Sequence, residues 1–82
     1  MSGVKLTSVA ANWHVFEAEV LHDASHLQRQ EMRRAFYGGA RVMMAMFQHI
    51  AATRTEQEFI ALHDVLNEEL RQFGEDVVAG RM

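Results

Sequence analysis

Apolar residues return along most of this chain at intervals of three and four, the period of helices that pack on one face. Val9, Trp13, Phe16 and Val20 follow at spacings of four, three and four. They predict a first helix over about 7–22, with Thr7 or Ser8 as its N-cap. "HDAS" then interrupts the pattern, and Ser25 with Gln28 three residues on has the form of a capping box. The second helix that starts there is expected to run over about 26–52. Its stripe is Leu27, Met32, Ala35, Phe36, Gly39, Met43, Met46, Phe47 and Ile50, and at 1.5 Å per residue it would be about 40 Å long. Thr55 and Glu58 repeat the capping box ahead of a third helix over about 56–79. That helix carries Phe59, Leu62, Leu66, Leu70, Phe73 and Val77, with Gly80 as its C-terminal stop.

The loop between the second and third helices has only about three residues, which predicts an antiparallel hairpin with the first helix packed across it. The fold class is all-α, with residues 1–82 as a single domain. In the second half of helix two the stripe loses its sides. Ala40, Val42, Met43, Met44, Ala45, Met46, Phe47, Ile50, Ala51 and Ala52 point all round the axis, and a helix apolar all round must be covered all round. One small chain cannot supply that cover. The expectation is a homo-oligomeric helical bundle whose interface includes Val42, Met43, Met46, Phe47 and Ile50. The plainer alternative is a loosely packed monomer in which methionines fill the gaps.

Composition narrows the function. The chain has 82 residues, no cysteine and no proline, and 49% of it is hydrophobic. It is therefore expected to be globular, without disulfides or thiolate metal sites. No signal peptide is evident, and the longest apolar run, Val42–Phe47, falls far short of the roughly 20 residues that span a bilayer. A cytoplasmic protein with no membrane partner is expected. A net charge of −3 argues against general nucleic-acid binding. The charges are unevenly spread: from Ser25 to Arg54 there are five arginines and one acid, and from Thr55 onward seven acids and two arginines.

Chemistry is sparse. Gly38 and Gly39 sit inside helix two at a cost of about 1 kcal/mol each relative to alanine. Three readings offset that cost: a small-residue notch with Ala35 where another helix approaches closely, a kink or break, or a ligand against exposed backbone. For the last, Arg29, Arg33, Tyr37 and Arg41 recur every four residues, with Arg34 and Gly38 on the adjacent ridge. Guanidinium forks suit phosphate, and tyrosine offers a face for a base. The candidate ligand site is Arg33, Arg34, Tyr37, Gly38 and Arg41. Its competitor is a set of interhelical ion pairs, Arg41 with Glu68 and Glu69, and Arg33 and Arg34 with Glu75 and Asp76. His22 and His26 have metal-ligand spacing but straddle the interruption and lack a third ligand, so no metal and no cofactor is expected. No nucleophile–base–acid set and no paired carboxylates stand out, which makes an enzyme the weaker reading.

The stretch "MRRAFYGGA" (Met32–Ala40), with Trp13 before it and "LHDVLNEELRQF" after it, resembles the central motif of a group of short helical proteins of tailed phages and prophages. The likeness covers about Trp13 to Val78. It implies an accessory protein acting in an infected bacterial cell, in the bacterial host cytoplasm, and it carries no functional residue over. Proteins of that kind bind a host defence protein or sequester a nucleotide-derived immune signal. The leading expectation is thus a non-enzymatic, homo-oligomeric protein that antagonises host defence by binding, with a nucleotide-like small molecule as its ligand. The alternatives are a protein–protein interaction module acting through its Met-rich helix, and a small structural or assembly protein.

Overall fold

The computed structural model describes residues 3–80. These form α1 (Val9–Val20), α2 (His26–Thr53) and α3 (Glu56–Val78), with no strand among the described residues. Each start has a local cause. Ser8 lies in extended backbone (φ −162°, ψ 161°), and its Oγ accepts the Ala11 N–H at 3.0 Å. That geometry begins α1 two residues later than its apolar pattern suggested, and Leu21 caps its end through an N–H to the Glu17 carbonyl. Asn12 fastens the preceding segment: its Oδ1 accepts the Lys5 N–H, and its Nδ2 donates to the carbonyls of Lys5 and Ser8, all at 2.8 Å.

Both capping boxes are present. Gln28 N–H donates to Ser25 Oγ at 3.2 Å while Gln28 Oε1 accepts the Ser25 N–H at 2.9 Å. Thr55 and Glu58 make the same exchange at the head of α3. Gly80 takes a positive φ of 77° just past α3, and its N–H donates to the Val77 carbonyl. A glycine suits that left-handed position, and it stops the helix.

The structure separates into two compact units, Met1–Ala45 and Met46–Met82, and α2 contributes to both. In the first, Trp13 is 2% exposed. Its ring centroid lies 5.8 Å from Phe16 and 5.5 Å from Phe36, and Phe16 and Phe36 are themselves 5.5 Å apart. This triangle of rings joins α1 to the first half of α2. In the second unit the contact that anchors the turn is Phe47 against Phe59, with centroids 5.3 Å apart. Leu62 and Leu66 are half-buried, while Leu70, Phe73 and Val77 of the same stripe are exposed.

Helix α2 is unbroken through Gly38 and Gly39, which overturns the break reading. With no proline to interrupt it, the backbone ladder needs nothing from side chains to continue. The packing-notch reading fails within the chain too. A Cβ built on either glycine would meet nothing within 4 Å, so no described part of the chain approaches close enough to need the missing side chain.

Candidate functional site

The candidate ligand residues lie on α2, within the first unit. Gln30, Arg33, Arg34 and Tyr37 line an open cleft of about 330 Å³. Their spacing of three, one and three places them on neighbouring ridges of a single helix. The Arg33 guanidinium carbon lies 5.7 Å from the Tyr37 ring centroid, within cation–π range, and Tyr37 also meets Phe36 edge-on at 6.3 Å. Tyr37 thus stands between the aromatic triangle and the arginines. Arg34 Nη1 lies 3.4 Å from Glu31 Oε1 on the same helix.

Arg33, Arg34 and Tyr37 are brought together; Arg41 and Gly38 do not line this cleft. Gln30 does, though the sequence reading passed over it. Its signal was its place one turn before Arg33 and Arg34, where an amide can add a donor or an acceptor. An adjoining hollow of about 320 Å³ is lined by Glu17, His26, Arg29, Gln30 and Arg33. Arg29 is occupied there in holding the chain. Its Nε donates to the Ala24 carbonyl at 3.2 Å and its Nη2 to the His22 carbonyl at 3.0 Å, while Nη1 stands 3.9 Å from Glu17. That guanidinium satisfies the carbonyls of the α1–α2 connection and is a structural residue.

Three of the four acids expected as interhelical partners have a partner on their own helix. Arg71 donates through Nε and Nη2 to Glu68 and through Nη1 to Glu75. The hydrogen bonds from Arg71 hold the Glu68 carboxyl below its ordinary range, and the same clamp raises Arg71. Asp76 accepts from Gln72 at 3.1 Å.

A larger hollow lies elsewhere. Val20, Leu21, Ala24, Leu27 and Met32, with His22, Asp23, Gln28 and Glu31, line about 580 Å³ around the α1–α2 connection. Val20, Leu27 and Met32 belong to the apolar stripes of α1 and α2, yet all three are exposed. Of the expected interface residues, Val42 is exposed, whereas Met43, Met46, Phe47 and Ile50 are half-buried. His22 pairs with Asp23 at 3.2 Å, and among the described residues no group of three or more histidine, aspartate or glutamate side chains is placed to hold a metal ion. No helix among them is long and apolar enough to cross a membrane. Comparison of the chain with protein families, curated proteins and solved structures finds no match.

Proposed function

We propose that this protein is a non-catalytic, homo-oligomeric helical binding protein. In this reading copies of the chain cover one another's apolar surface, and the Gln30–Arg33–Arg34–Tyr37 cleft takes a nucleotide-like anion. The observation that carries the reading is the contrast in burial. Trp13 is the one buried hydrophobic residue among those described, while Val42, Met44, Leu70, Phe73 and Val77 stand open to solvent. Apolar surface on that scale on a small protein is an interface in waiting. The arginines and Tyr37 favour a ligand with both negative charge and a flat ring, since guanidinium forks bind phosphate and an aromatic face stacks on a base. In the setting implied by the resemblance to phage proteins, such an oligomer would antagonise host defence by sequestering a nucleotide-derived signal in the bacterial cytoplasm.

Sedimentation at micromolar concentration tests the first half. The mass should be at least twice the 9.4 kDa of one chain, and a folded monomer would end the reading. Thermal shift against a panel of linear and cyclic nucleotides tests the second half. A member of the panel should raise the melting temperature of the wild type and not that of Arg33→Ala or Tyr37→Ala. The exposure of Val42 and Met44 on the Met-rich segment favours one alternative, a module that docks on a host or phage protein through that helix. A panel with no effect on a stable oligomer would select it.

A further inference from the structure

Two apolar faces of this chain lie open and carry opposite charge. On α3, Leu70, Phe73 and Val77 continue the stripe of Phe59, Leu62 and Leu66, yet they are 59%, 50% and 48% exposed. Glu69 lies one turn before Phe73 on the flank of this ridge and is exposed. On α2, Gly38, Arg41, Val42 and Ala45 fall at i, i+3, i+4 and i+7, one face of the helix. All four are exposed, Val42 at 59%. The added Cβ at Gly38 meets nothing, so a second helix would find this face low and smooth. Neither Arg41 nor Glu69 has an ion-pair or hydrogen-bond partner for its side chain among the described residues. The wider surroundings repeat the complementarity. Residues 29–41 hold four arginines and one glutamate, and residues 68–76 hold four acids and one arginine.

We infer that the occupant of the α2 face is the α3 ridge of a second copy of this chain, with Leu70, Phe73 and Val77 seated over Gly38, Val42 and Ala45, and Glu69 facing Arg41. This rests on the homo-oligomer reading above and goes further by naming the two surfaces that meet. Each surface lacks what the other has. The ridge needs apolar cover and a cation at its edge, and the α2 face offers a valine among small residues with an arginine beside it. The contact also assigns Arg41, which the ligand cleft leaves out, and it gives Gly38 a role between copies that it lacks within one. Like-charge repulsion disfavours pairing the acidic α3 ridge with its own counterpart, so the basic face is the better mate.

The test uses charge reversal and mixing on the full chain. Phe73→Glu should weaken self-association at least about thirtyfold, as loss of an interface anchor does. Arg41→Glu and Glu69→Arg should each weaken it about tenfold, by turning an attraction into a repulsion. All three should keep the wild-type helical circular dichroism. Mixed one to one, Arg41→Glu and Glu69→Arg should recover association, because each supplies the charge that the other now needs. Gly38→Leu, which leaves the helix intact but raises the floor of the face, should lower the mass as well. A wild-type oligomer indifferent to Phe73→Glu and to both reversals would overturn the inference and leave the homo-oligomer reading standing. Reversals that cost stability with no rescue on mixing would place the pair inside one chain and overturn it as well. A folded wild-type monomer would end both.

Discussion

The two units of this chain solve the same problem to different degrees. In the first, two rings from two helices, Phe16 and Phe36, close on Trp13, which is all but sealed from solvent. In the second, α3 has the more regular apolar stripe, but past the half-buried Leu62 and Leu66 its cover gives out, and Leu70, Phe73 and Val77 face solvent. Regular spacing therefore does not measure burial. Periodicity records which side of a helix is to be covered; only a second element, in this chain or another, does the covering. A helix in water is marginal without such packing, so the unit with the cleaner pattern depends more on a partner.

The comparison breaks most sharply at Trp13. Trp13→Ala removes the ring shared by both other aromatics and should cost about 3–5 kcal/mol, a large part of what a domain of this size possesses. Urea unfolding followed by circular dichroism should show the transition lost or moved to much lower denaturant. Phe73→Ala, made under conditions where the protein is monomeric, should move the same transition far less, because an exposed ring gives up little on truncation. Equal costs would mean that the two units are covered alike and that the contrast is false.

What was legible in the sequence follows the range of the interaction. The caps at Ser25 and Thr55, and the narrowing to Thr7 or Ser8 ahead of α1, were legible because each is settled within three residues, by a side-chain oxygen and a nearby N–H. The three helices and the stop at Gly80 were legible for the same reason. Which apolar residues would be covered was not. Val9 and Val20 share a stripe with Trp13 and Phe16, yet both are exposed, since Phe36 reaches only the middle of α1. The cleft was legible in part. Arg33, Arg34 and Tyr37 declare themselves by charge and ring, but Gln30 has no such mark, and Arg41 belongs by residue type while its place on the helix sets it apart. Arg29 looked like its neighbours and is drawn off by two backbone carbonyls, a contact that depends on the path of the α1–α2 connection.

The glycine pair sharpens the contrast from the other side. With open space at both positions, Gly38→Ala and Gly39→Ala should each stabilise the helix, by up to about 1 kcal/mol apiece through helix propensity and a less flexible unfolded chain. Measured under conditions where the protein is monomeric, the melting temperature should rise for each and rise further for the pair. A fall at either position would show a close approach to that backbone.

The smallest effect expected lies at the head of α3, in the less covered unit. Thr55→Ala removes both a cap for the Glu58 N–H and a partner for its carboxylate, and should cost about 1 kcal/mol. The box also has a pH signature. Hydrogen bonds from the Thr55 backbone N–H and then from its hydroxyl hold the Glu58 carboxyl below its ordinary value of 4.5, with Arg54 adding a smaller pull. A carboxyl whose folded-state value is depressed stabilises the fold fully above its unfolded value, and that stability is lost as pH falls through the folded one. The contribution of Glu58 should therefore be intact at neutral pH and fade as pH falls below about 4.5. Glu58→Gln retains an acceptor for the Thr55 N–H but cannot titrate. Its stability relative to wild type should be lower at neutral pH, and the gap should narrow with acidification. A gap that stays constant from neutral pH into the acid range would show that the carboxylate charge adds nothing to the cap.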